Sequence, residues 1–103
     1  MPATVRANQL ILDASLTDRE PLRYTPAGIP ALSLTLRHAS EQAEAEGRRK
    51  VDCEIAAVAY GSVAQSLARL PADAGLRAKG FLARRYRTGT TLCLHITEYE
   101  LTH

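Results

Sequence analysis

The sequence predicts an all-β fold: a five-stranded barrel with one short helix between the third and fourth strands. Three observations carry this. Three segments in the first sixty residues alternate apolar and polar side chains. One segment after them repeats its apolar residues at helical spacing. Two further alternating runs follow, joined by a short Thr-Gly-Thr turn.

The first strand spans Asn8 to Leu16, with Leu10, Leu12, Ala14 and Leu16 on one face and Gln9, Ile11, Asp13 and Ser15 on the other. Residues 17–30, "TDREPLRYTPAGIP", hold three prolines and a glycine, which predicts a long loop. Within it Thr-Pro-Ala-Gly forms a tight turn: Pro26 fixes φ and Gly28 is free to take a positive φ. The second strand, Ala31 to Ser40, points Leu32, Leu34 and Leu36 inward. Residues 41–50, "EQAEAEGRRK", offer no apolar stripe and predict a flexible loop. The third strand runs from Val51 to Tyr60, and its alanines leave room for close packing. "YGSVAQSLARLPADAG" is the helix: Ser62 caps it, Val63, Leu67 and Leu70 recur at helical spacing, and Pro71 ends it. Leu76 to Arg85 and Thr91 to Leu101 form the closing hairpin. Leu92, Leu94 and Ile96 share one face while Tyr99 and Leu101 fall on the other, so a bulge or strong twist is expected near Thr97. This order is that of an OB-fold, a small barrel that binds oligonucleotides and oligosaccharides.

At 103 residues the chain is one domain, residues 1–103, able to bury one modest core. With 46% apolar and 23% charged residues it is neither disordered nor membrane-spanning in composition. The N-terminus lacks a leader pattern, so a cytoplasmic location is expected. Cys53 and Cys93 sit in apolar strand runs and read as small buried hydrophobes; a disulfide is not expected in the cytoplasm.

The net charge of +2 says little, but its distribution is uneven. From Ala74 to Thr97 no acidic residue occurs, while Arg77, Lys79, Arg84, Arg85 and Arg87 do. Three of these arginines flank Tyr86 at the hairpin tip. Guanidinium groups reach phosphates and an aromatic ring stacks on bases, so the tip reads as a grip for single-stranded nucleic acid. A solubilising hairpin end is the competing reading. Arg77 and Lys79 on the fourth strand, Arg37 on the second, and the Arg48-Arg49-Lys50 cluster extend the candidate track. Tyr24, beside Arg23, serves as a packing or a stacking residue; Tyr60 and Tyr99 read as core or interface. Cys93 and His95 could form half of a metal site, but no second pair completes it. No nucleophile elbow and no phosphate-binding glycine loop is present, so neither an enzyme nor a cofactor is expected.

"NQLILDASLTDREPLRYTPAGIPALSLTLRHAS" resembles the opening of the bacterial single-stranded-DNA-binding protein family, with Asn8, Leu12, Leu16, Pro21, Arg23, Tyr24, Pro26, Gly28, Leu34 and Leu36 at the matching positions. "AYGSVAQSLARL" resembles that family's glycine-started helix and "LRAKGFLARRYR" its fourth strand. The likeness runs from about Asn8 to Leu101 and is closest to the short primosomal members, which have one OB domain. It implies a single-stranded-DNA-binding accessory subunit of the replication-restart primosome that stabilises the restart helicase on DNA and helps recruit the helicase-loading protein. It also implies a homodimer paired through the first strand. The chain departs from the family in having no tryptophan, and Asp52 stands where relatives can carry an aromatic. Weaker base stacking follows, with phosphate contacts supplying more of the binding. The alternative is an OB-fold adaptor for protein partners, with weak or no DNA binding of its own.

Overall fold

In the computed structural model, which describes residues 5–102, six strands and one helix follow in order. They are β1 (Leu10–Arg19), β2 (Arg23–Tyr24), β3 (Pro30–Glu44), β4 (Gly47–Tyr60), α1 (Ser62–Ala68), β5 (Gly75–Arg84) and β6 (Leu92–Leu101). The leader-free reading of the N-terminus falls partly on residues 1–4, outside the described range. No helix among the described residues is long and apolar enough to cross a membrane.

The sheet runs β1-β5-β6-β4-β3-β2 and closes through an extra β1–β3 pairing. β1 makes the closure by serving two neighbours. Leu10–Ser15 pair with β5, and Ser15–Arg19 pair with β3. The register slips by one residue at Thr17, between Leu16↔Leu36 and Asp18↔Thr35. A bulge there bends the strand from one partner to the other. Five strands therefore form the barrel, as expected, and β2 is added beside β1 on the same edge of β3.

Alternation places Leu16, Leu32, Leu34, Leu36, Leu76, Leu94 and Ile96 inside. Each fully buried leucine contributes about 1.5–3 kcal/mol relative to exposure. Ala57, Ala59 and Ala78 are buried among them, and α1 closes the barrel end against β3 and β4 with Ala64 and Leu67. The Arg19 guanidinium donates to the carbonyls of Leu67 and Leu70, both at 2.8 Å. It thus ties β1 to the C-terminal end of α1, where the helix dipole favours a cation. Asn8 holds the chain entering β1: its amide donates to the Leu82 carbonyl at 2.8 Å and accepts from the Leu82 N–H at 2.9 Å.

The expected bulge near Thr97 is present. Lys79 faces Glu98 and Gly80 faces Ile96, leaving Thr97 unpaired. That extra residue returns Tyr99 to the core side, where its hydroxyl hydrogen-bonds Ser66. The Thr25–Gly28 turn is also as expected, with the Gly28 N–H donating to Thr25 and Gly28 at φ 83°.

Several expectations are corrected. Residues 41–50 are not a flexible loop. Strands β3 and β4 continue to a two-residue turn at Ala45-Glu46, both at positive φ, with Glu44 paired to Gly47. Antiparallel pairing sets the acidic half of this stretch against its basic half, so ladder and charge hold it together without an apolar face. The 17–30 loop contains β2, because Arg23 and Tyr24 fold back onto Ala31 and Pro30. Ser62 is not the helix cap. Gly61 takes that place at φ 71°, with no side-chain capping bond, and Ser62 is the first helical residue. Leu92 and Cys53 are exposed because their strands have left the barrel there, whereas Cys93 is buried; both cysteines are free.

Candidate nucleic-acid interface

Strand parity and register assemble a row on the outer wall of the barrel. Ser33 on β3 faces Val58 on β4, Val58 faces His95 on β6, and His95 faces Phe81 on β5. Tyr60 ends β4 beside this row. The Phe81 and His95 rings lie 4.9 Å apart at 12°, and the Tyr60 and His95 rings 6.1 Å apart at 28°. Phe81 and Tyr60 are 39% and 44% exposed, so the stack of three rings is open to solvent at both ends. Exposed rings of this kind are stacking surfaces for unpaired bases.

A cleft of about 380 Å³ lies against this wall. Ser33, Val58 and Cys93 line it with Tyr60 and His95, and Arg23, Arg84, Arg85 and Tyr86 complete it. The loop after β5 is closed by the Arg85 N–H donating to the Thr91 carbonyl at 2.8 Å. Its Arg85 guanidinium sits 5.3 Å from the centre of the Tyr86 ring. Burial pushes the Cys93 thiol up, with Arg85 opposing in part. The thiol therefore stays protonated at neutral pH and is no nucleophile. No cluster of three or more metal-ligating side chains occurs among the described residues.

The structure divides the sequence-derived candidates. Arg84, Arg85 and Tyr86 come together at the cleft, joined there by Arg23; Arg87 follows on the same loop. Among the described residues none of these arginines has a carboxylate partner. Tyr24 is 61% exposed on β2, next to Arg23. The other candidate cations lie elsewhere, and all of them but Lys50 are paired. Arg37 holds Asp52 at 2.9 and 3.2 Å. Arg77 holds Asp13 at 2.7 and 3.1 Å and approaches Glu100 at 3.8 Å. Lys79 meets Glu98 at 3.7 Å, Arg48 meets Glu41 at 3.5 Å, and Arg49 meets Glu44 at 3.4 Å. Hydrogen bonds from Arg77 and Arg37 hold Asp13 and Asp52 below the ordinary carboxylate range. Lys50 has no such partner among the described residues. The Arg48-Arg49-Lys50 cluster shares one end of the barrel with the 85–91 loop, because β4 and β6 run parallel and both start there.

Sequence reasoning missed Phe81, His95, Tyr60 and Arg23 as a group. Parity alone turns Phe81 and His95 outward, opposite Leu82 and Leu94, so that pair was recoverable. Tyr60 joins them only through the parallel β4–β6 contact, and Arg23 only through β2, which no local pattern announces.

Comparison with known proteins places this geometry. A family described as "Another single-strand binding protein family" matches residues 8–98. Replication restart protein PriB of Nitrosomonas europaea is 31% identical over 99 residues, covering 96% of this chain and 92% of that protein. The protein of the same name from Bordetella pertussis is 40% identical over 91 residues, covering 88% of this chain and 85% of that one. The solved structure of PriB from Ralstonia solanacearum superposes with a TM-score of 0.88 at 37% identity, covering 95% of this chain and 100% of that one.

Proposed function

Because the chain belongs to the single-strand binding protein family, on its PriB branch, we propose that it is a non-enzymatic single-stranded-DNA-binding subunit of the replication-restart machinery. One observation carries this reading: Arg23, Arg84 and Arg85, which have no carboxylate partner among the described residues, border the cleft lined by Tyr60 and His95 of the three-ring stack. A single strand needs cations for its phosphates and flat faces for its bases, and here both occur on one surface. The stack also offsets the missing tryptophan, since each base stacked on an aromatic ring contributes roughly 1–3 kcal/mol.

The finer role is to stabilise the restart helicase on DNA and help recruit the helicase-loading protein, with two copies joined through β1 in the cytoplasm. The N-terminal half of β1 supports the dimer: Leu10–Ala14 pair with β5 on one side only and leave an edge for a second copy. Light scattering at micromolar concentration then gives about twice the 11.2 kDa chain mass.

A second reading, an adaptor for protein partners with weak DNA binding, is favoured by one observation. Arg37, Arg48, Arg49, Arg77 and Lys79 are engaged by carboxylates, which leaves a short cationic track. Titration of a fluorescent oligonucleotide at two salt concentrations separates the readings. The DNA-binding reading requires saturable binding that weakens with salt at a slope of about −0.7 per phosphate contacted. Absence of binding at low salt leaves the adaptor.

A further inference from the structure

The β3–β4 hairpin projects from the barrel, and among the described residues one edge of β4 is open there. β6 reaches β4 only at Ala57 and Val58, while β3 pairs with β4 along its whole length. The orientation of the open edge follows from the ladder. The Gly61 N–H donates to the Pro30 carbonyl, one register step beyond the Ala31↔Tyr60 pair. Hydrogen-bonded pairs alternate in an antiparallel ladder. Odd-numbered residues of β4 therefore turn their backbone groups toward β3. Arg48, Lys50, Asp52 and Glu54 turn theirs outward, and all four are exposed. The 85–91 loop shares this end of the barrel but bends away, since Arg85 and Tyr86 line the cleft with Tyr60 and Arg23.

We propose that this open edge is a self-complementary docking strand for a second copy of the chain, separate from the β1 edge. Read outward along β4, its charges run positive, positive, negative, negative about Val51. An antiparallel copy centred on Val51 sets Arg48 against Glu54 and Lys50 against Asp52, twice each. Both are hydrogen-bonding pairs by the parity above, so backbone and charge select the same register. Sliding the copy by one repeat in either direction stacks Lys50 on Lys50 or Asp52 on Asp52. On the other face Val51 meets Val51. Charged side chains usually protect an edge from pairing; this order of charges instead admits one partner in one register. Arg48 and Asp52 already have partners in their own chain, Glu41 and Arg37. Those pairs are exposed, so a second carboxylate or guanidinium can join them.

The test uses charge reversal read by sedimentation velocity at low salt over a wide concentration range. Arg48→Glu/Lys50→Glu makes the edge uniformly acidic, and Asp52→Lys/Glu54→Lys makes it uniformly basic. Each variant alone is expected to lose self-association by at least roughly tenfold relative to the parent, through like charges placed opposite one another. An equimolar mixture is expected to regain it, which also shows that both variants fold. β1 is unchanged in all of these proteins, so the β1 dimer sets the same baseline throughout. As a site-specific check, Val51→Cys in a Cys53→Ser background is expected to cross-link to its own copy on mild oxidation, because the two Cα atoms lie within disulfide reach. The proposal is overturned if the parent forms nothing beyond the mass shared by the acidic variant. It is equally overturned if both variants associate as the parent does, or if the mixture gains nothing and the cysteine variant does not cross-link.

Discussion

Gly80 lies directly against the backbone of His95. A Cβ built on Gly80 would stand 1.7 Å from the His95 carbonyl oxygen and 2.8 Å from its carbonyl carbon. The approach sits beside the Thr97 bulge, where β5 and β6 change register. It also fixes where His95 projects, and so where the aromatic stack stands. Gly80→Ala must displace one strand from the other. It is expected to destabilise by about 1–3 kcal/mol, the usual range for overpacking. Gly47→Ala, whose Cβ would meet only the Glu44 carbonyl at 3.7 Å, is the control and should melt close to the parent. Thermal denaturation of the two variants decides; equal melting temperatures would disprove the close approach.

Replacing Arg84, Arg85 and Arg87 by alanine should leave the fold intact, since exposed charges add little to stability. Affinity for single-stranded DNA should fall, and the salt slope should flatten by about two units if all three touch phosphate. Unchanged binding at every salt concentration would remove the loop from the site.

Tyr60→Leu and Phe81→Leu remove the two open ends of the ring stack and keep apolar volume on the wall. Each should weaken binding by roughly 1–3 kcal/mol with the salt slope unchanged, because stacking releases few ions. Unchanged affinity at constant salt would assign the rings a structural role.

Leu34→Ala should cost about 2–5 kcal/mol, as its side chain is buried in the core, whereas Thr35→Ala, half-exposed one residue on, should cost little. Denaturant midpoints test this directly. Similar midpoints would mean a different β3 register.

Asp13 and Asp52 have lowered pKa values in the folded protein, chiefly through hydrogen bonds from Arg77 and Arg37. Their stabilisation is present above the ordinary aspartate value of 3.8 and is lost as pH falls through the folded values beneath it. Through these groups, melting temperature should therefore not vary with pH near neutrality and should drop in strong acid. Asp13→Asn/Asp52→Asn should show a shallower acid drop; an identical acid profile would show that neither pair matters.

The barrel was legible in the sequence because its strands bury one face, and burial writes itself as alternation. Leu32-Leu34-Leu36 and the Leu94-Ile96 pair are examples. The bulge at Thr97 was legible for the same reason, since Tyr99 breaks the alternation and must be restored to the core. The hairpin beyond Ser40 was not, because neither of its faces is buried. Ala45-Glu46 also lacks the Asn-Gly or Asp-Gly signature that such turns favour. Cys53 shares parity with Ile55, but it lies past the rim, where parity no longer means burial. The arginine loop of the candidate site announced itself by composition. Its aromatic wall did not, since Tyr60 meets His95 only across a parallel pairing between distant segments.

The double duty of β1 has a consequence for how the chain reaches this structure. β3 and β4 can zip from their two-residue turn as soon as both have left the ribosome, and they need no other segment. β1 has half of its ladder on β3 and half on β5, so Leu12 waits for Ala78 and Ala14 for Leu76. Closing so long a loop costs entropy before any contact offsets it. Ring closure by β1 and β5 is therefore expected to come late in folding, as refolding kinetics of a β1–β5 variant such as Leu12→Ala would test. Until then the apolar side of β1 has only β3 to cover it. The Asn8 clamp on Leu82 continues the β1–β5 register beyond Leu10↔Gly80 and forms with that closure.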